Sequence, residues 1–327
     1  MNLYYQITKI GNLFHFVSNL TDWHYSVRPS YKSYWLEKTG NLSIEESGAL
    51  VKAKELFIKY SFGQNFWGKV FLRRPEEDVW QIAEQNFGKE DTESFKTITN
   101  VFLPKFEKLW IEEEKLLHNW KGELEKSQSK YAQDGLVNKL DVLFNTKVKF
   151  DLQVKVILLM CSPTTIGGGG ANVGPGAITL EVSRKSLNDI QFAWFNFWHE
   201  LVHTYWERNK EYTGMLIEFV NKKEQDGLPS PVEKAPLKAA IGEAVIESLI
   251  PMGYLSNKYF GFDSEKYFRE KTLQLRESKV NKSQSLSFWR CFSADRLFNM
   301  AKEYVENNKA IDIAYLEKVE QIIKEFK

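Results

Sequence analysis

From about residue 43 to about 145 apolar positions recur at helical spacing, which predicts a run of amphipathic helices. Ser43, with Glu46 three residues on, forms a capping-box signature ahead of Leu50, Leu56 and Phe57; the helix it opens is predicted to end near Gly63. Further starts are expected at Pro75-Glu76-Glu77-Asp78, at Asp91 and at Pro104, because proline fits a first turn and carboxylates favour the positive end of a helix. Residues 104–126 read as one long amphipathic helix.

The texture changes near residue 147. Lys147 to Leu152 and then Val154 to Met160 bring alternation and β-branched residues, the pattern of strands. A loop with Gly167 to Gly170, Gly174 and Gly176 follows. No Lys-Ser or Lys-Thr comes after it and the next element is a strand, which excludes a phosphate loop. A hairpin connection or a flap over a neighbouring cleft remains. Residues 177–183 alternate strictly and predict a half-buried antiparallel strand at a sheet edge. Helices are expected near 189–208, 232–250, 263–277, 294–307 and 311–326. The expected fold is therefore α+β: a helical N-terminal lobe over 1–145, then a region over 146–327 with a small mixed or antiparallel sheet and a helical C-terminus.

Composition narrows the function classes. The chain has 327 residues, 43% of them hydrophobic, and 44 basic residues against 43 acidic ones. That balance gives no global field to draw nucleic acid or anionic lipid, so neither is expected as a partner. Cys161 and Cys291 lack the spacing of a metal or redox pair. No stretch approaches the roughly 18 apolar residues of a membrane span, and residues 1–30 do not read as a signal peptide, so a cytoplasmic protein is expected.

The chemistry concentrates in His199-Glu200-Leu201-Val202-His203. Histidines four apart on a helix stand about 40° apart around its axis, so their imidazoles converge on one point as a two-pronged zinc clamp. Glu200, about 60° around from His203, stays beside that point, placed to hold a water and take its proton. Phe192, Phe195, Val202 and Trp206 supply the helical pattern the clamp requires, with Asn188 or Asp189 as the cap. A zinc hydrolase normally adds a third protein ligand. Continuation as a metzincin is excluded, because Trp206 and Asn209 stand where that pattern needs glycine and histidine. Candidates for the third ligand are Glu243, in Ile241-Gly242-Glu243-Ala244-Val245-Ile246-Glu247, then Glu207 and Asp226.

The two motifs together resemble the gluzincin metallopeptidases, the thermolysin-like group, in which a His-Glu-x-x-His helix is followed by a helix bearing Asn-Glu-x-x-x-Asp. Here Gly242 replaces the Asn and Glu247 the Asp. The resemblance spans roughly residues 150 to 255. It implies one Zn2+ per chain held by His199, His203 and Glu243, and Glu247 as the acceptor that orients a ligating histidine. It also implies a peptide or protein substrate bound by strand addition along residues 177–183. No histidine follows His203 to stabilise an oxyanion, so tyrosine is the expected substitute, with Tyr254 first, then Tyr259, and Tyr205 last. The expected activity is zinc-dependent peptide hydrolysis with Glu200 as general base. A zinc amidohydrolase of small amides and a catalytically silent interaction module are the other readings.

Overall fold

The computed structural model describes residues 1–24, 27, 29–60, 66–74, 78–146, 153–162, 169–174, 176–182, 190–233, 235–277 and 285–326. Those residues are mostly helical with one four-stranded mixed sheet, an α+β fold as the sequence predicts. They form two compact units: Met1–Gln128 with Leu152–Ala193, and Ser129–Asp151 with Trp194–Lys327. The division expected at 145/146 is thus replaced by an interleaved one.

The cause is a strand the sequence reading missed. β1 (Asn2–Gln6) pairs in parallel with β2 (Gln153–Met160), Leu3 opposite Val154, which brings residues from about 152 back to the N-terminal elements.

In the first unit the sheet order is β1-β2-β4-β3, with β4 (Ala177–Val182) parallel to β2 and β3 (Gly169–Asn172) antiparallel to β4. The expected edge strand over 177–183 is therefore an interior strand, and the edge is β3, built from the end of the glycine run; Gly167, Gly168 and Ser183 lie outside the described residues. The alternation in β4 is real, but its polar positions are covered. Thr179 is buried, and Glu181 accepts a short hydrogen bond from Tyr31 Oη and lies 3.9 Å from His15 Nε2. A partnered polar residue can face the interior, so strict alternation does not require a wet face. The strands expected over 147–152 lie outside the described residues, as do the predicted start at Pro75-Glu76-Glu77 and the candidate caps Asn188 and Asp189.

Helices α1 (Lys9–Leu20), α2 (Pro29–Thr39), α3 (Ile44–Lys59), α4 (Trp67–Phe71) and α5 (Val79–Phe87) belong to the same unit. The capping box of α3 forms with both reciprocal bonds, Glu46 N to Ser43 Oγ and Ser43 N to Glu46 Oε2. Phe14 packs against Phe57, Phe71 and Phe95, and Trp67 stacks on Phe87 at 3.8 Å between ring centres, so much of the aromatic content is core. α6 (Lys89–Tyr131) runs through Pro104 instead of starting there. An interior proline costs about 3 kcal/mol. Burial of Ile98, Phe102, Phe106, Trp110, Leu117, Trp120 and Leu124 at helical spacing along α6 offsets that cost and carries the helix past it.

The second unit is helical: α7 (Asp134–Leu143), α8 (Ile190–Arg208, from Trp194), α9 (Lys210–Gln225), α10 (Leu237–Leu249), α11 (Tyr254–Phe260), α12 (Ser264–Glu277), α13 (Leu286–Glu306) and α14 (Ile313–Phe326). At the centre α10 is buried on nearly every side and packs most extensively on α13. Trp289 Nε1 of α13 donates to Ala240 O at 2.8 Å, and Ser248 Oγ meets Tyr315 Oη of α14 at 2.7 Å. These two bonds set the rotation of α10, and with it the direction of its carboxylates. Among the described residues no helix is long and apolar enough to cross a membrane.

Candidate metal centre

α8 carries the clamp. Trp198, fully buried, donates Nε1 to Tyr131 O at 2.9 Å, and Phe195, Leu201, Val202 and Tyr205 are buried with it. With those side chains fixed inward, His199 and His203 share the flank that meets α10, their ring centres 5.2 Å apart. Of the tryptophans near the motif, Trp194 and Trp198 are core; Trp206 is half-buried and sits edge to face on His203 at 4.9 Å.

Glu243 comes to both histidines. Its Oε2 lies 3.3 Å from His199 Nε2 and its Oε1 3.6 Å from His203 Nε2. Nitrogen and carboxylate ligands held tetrahedrally at about 2.0–2.2 Å from one ion stand roughly 3.3–3.6 Å from one another. The donor atoms of His199, His203 and Glu243 all fall within 4.8 Å of each other, so the three residues form a group that could hold a metal ion. Glu243 Oε2 is buried, with His199 Nε2 at 3.3 Å and Arg290 Nη2 at 2.5 Å.

The flanking carboxylates fall on opposite sides of His199. Glu200 Oε1 is 3.9 Å from Nε2, on the ligand side, and Glu247 Oε2 is 3.7 Å from Nδ1, on the far side. One turn of helix separates Glu243 from Glu247, so α10 addresses both ring nitrogens of a single histidine. Gly242 explains the departure from the Asn of the resembling motif. A β-carbon there would lie 2.6 Å from Trp206 Cη2. The position belongs to the contact between α8 and α10, and an asparagine has no room.

Arg290 on α13 completes the charged cluster, and the sequence reading did not single it out. Its Nη2 forms an ion pair with Glu243 Oε2 at 2.5 Å. Burial drives the Glu243 carboxyl upward, but Arg290, followed by His199 and His203, holds it well below the usual range. Burial raises the Glu247 carboxyl. Burial also works against a charged His199, yet Glu243 and then Glu200 carry its pKa up. A signal for Arg290 exists in the pattern: with the helix started at Ser285, which caps it through Phe288 N, Arg290 shares a stripe with Ala294, Leu297 and Ala301, all fully buried. The helix was expected only from 294, which left Arg290 outside it.

The other candidates are placed elsewhere. Asp226 is the exposed C-cap of α9, and the Glu207 side chain lies outside the described residues. Tyr254 Oη donates to Glu306 Oε1 at 2.5 Å, and Tyr259 Oη donates to Gly135 O at 3.0 Å, so the expected tyrosine donors are occupied with other acceptors. Tyr205 is buried. Comparison of the chain with protein-family models, with curated proteins and with solved structures finds no match.

Proposed function

We propose that the chain is a zinc-dependent hydrolase of peptide bonds, using one ion held by His199, His203 and Glu243. The observation that carries this reading is the convergence of those three residues, with Glu200 beside them and Glu247 behind His199. A helix with one buried and one half-buried histidine and no ligand would have no reason to gather three carboxylates around them in a poorly hydrated interior. The all-nitrogen and oxygen donor set of neutral imidazoles and one carboxylate suits zinc in a site with an open fourth position.

A bound zinc supplies Lewis acidity to a water and to a substrate carbonyl. Glu200 accepts the water's proton and delivers it to the nitrogen that leaves as the amide bond breaks. Glu247 faces His199 Nδ1 and fixes the tautomer that presents Nε2 forward. Peptide, rather than a small amide, is the substrate that the resemblance of the two helical motifs to the gluzincins implies.

The test is elemental analysis of the purified protein, followed by cleavage assays on a mixed peptide library. About one zinc per chain is expected, retained in Glu200→Gln with cleavage lower by about a hundredfold or more. Absence of zinc, both as purified and after addition, would sink the reading. Zinc with no peptide cleavage, but with hydrolysis of small amides, would move the substrate class.

A further inference from the structure

Lys155 stands on β2, an interior strand, and in the register of the three parallel strands it is flanked by Tyr4 of β1 and Ala177 of β4. Its side chain reaches the turn after α4, where Nζ donates to Arg73 O at 2.9 Å. Three cationic side chains, Arg73, Arg74 and Lys155, thereby line one cavity of about 160 Å³, walled also by Gly176 and Ala177. Among the described residues no carboxylate lines it.

Such a gathering is unfavourable by itself. Burial and then the two arginines lower the Lys155 pKa, and burial and then Arg74 lower that of Arg73. Like charges drawn together in a half-buried recess are destabilising unless an anion joins them. The backbone nevertheless keeps the recess open. Gly174 has a φ of 117°, and a β-carbon there would stand 2.7 Å from Arg73 Nη1, so the guanidinium lies where only glycine leaves room. Gly176 O accepts from Lys155 N at 2.8 Å, which ties the same turn to β2.

We propose that Arg73, Arg74 and Lys155 form a binding site for a phosphate group, either the free ion or the phosphomonoester of a small molecule. Guanidinium forks match the paired oxygens of a phosphate, and the lysine adds a point charge, with one of its three donors already placed on Arg73 O. The volume suits one tetrahedral anion; sites for drug-sized ligands run to about 300–1,000 Å³. Lys155 also borders a larger cavity of about 390 Å³, with Tyr4 and Tyr5 on its walls, which gives the organic part of a monoester a place to lie. The device differs from a phosphate loop, because charge comes from side chains and not from a glycine-rich turn at a helix start. It is also local, since the whole chain carries a formal charge of only +1. All of these residues belong to the first unit, so the test is separate from that of the metal reading.

The experiment is isothermal titration of the full chain with inorganic phosphate and with phenyl phosphate, at pH 7 and fixed ionic strength in chloride. Wild type, Arg74→Ala and Lys155→Met are compared. We expect saturable binding to wild type at one site per chain, weaker by about tenfold or more in each variant, as loss of a charged donor requires. Arg74 is exposed, so its replacement leaves the fold intact and decides alone should Lys155→Met fail to fold. Phenyl phosphate binding more tightly than the inorganic ion identifies a monoester as the ligand; the reverse order identifies free phosphate. No saturable binding of either by wild type overturns the proposal. Binding that either folded variant keeps in full overturns it too, by placing the anion elsewhere on the chain.

Discussion

Gly242 and Trp206 approach so closely that the glycine's missing β-carbon would stand 2.6 Å from the indole Cη2. The contact joins the helix bearing Glu243 to the helix bearing His203, and it sets the separation across which those two side chains meet at 3.6 Å. Gly242→Ala is expected to push Trp206, and with it α8, away from α10. Overpacking of this kind costs about 1–3 kcal/mol, even though alanine is the better helix former. The thermal midpoint should fall, and the extra stabilisation on adding zinc should shrink; a midpoint that rises would show that Trp206 gives way freely.

Glu247 faces His199 Nδ1 at 3.7 Å, on the side of the ring away from Glu243. Removing its charge in Glu247→Gln should weaken metal affinity by about 10–100-fold without abolishing binding, the usual effect of an outer carboxylate. Glu243→Ala should lose the ion altogether under the same conditions. Competition with a coloured chelator separates the two variants, and equal loss in both would make Glu247 a direct ligand.

Cys291 follows Arg290 on α13 and is buried, in a setting where burial first and Glu247 second push the thiol up to about 12. Against an ordinary thiol near 8.5, the thiolate fraction near neutral pH is lower by roughly a thousandfold or more. Native Cys291 should resist iodoacetamide at pH 8 and react readily in urea, as mass spectrometry of the labelled chain will show. Rapid labelling of the native protein would mean that α13 opens locally.

In the first unit Asp91 accepts from Lys59 Nζ at 2.7 Å and from Tyr60 Oη at 2.5 Å. Burial opposes the charge, but those two partners hold the Asp91 carboxyl below its ordinary value. A depressed folded-state pKa gives stability that is present above the unfolded value of about 4 and is lost as pH falls through the folded one. Asp91→Asn should therefore lower the urea midpoint at pH 7, with the gap to wild type closing below about pH 4. A gap constant with pH would assign the effect to packing.

What could be read from the sequence was whatever local periodicity encodes. The histidine clamp, Glu200 beside it, and the glutamates one turn apart on α10 follow from helical spacing, and the structure brings them together as that spacing implies. The capping box at Ser43 is equally local. What escaped is set by partners far away in the chain. β4 reads as an edge because its polar positions look solvated; only Tyr31 and His15, about 150 and 166 residues earlier, cover Glu181. β1 is unremarkable until residue 153 pairs with it. Arg290 belongs to the cluster only because Trp289 is bonded to Ala240, a relation that no spacing records.

The interleaving of the two units governs how the His199, His203 and Glu243 group can be cut out of the chain. A fragment beginning at Trp194 would hold every residue of the cluster and still lack Ser129–Asp151, including the Tyr131 carbonyl that receives Trp198 Nε1 next to His199. A minimal version calls instead for Ser129–Asp151 together with Trp194–Lys327, with residues 152–193 excised from between them. Ordinary truncation libraries, which sample ends only, would pass over that product.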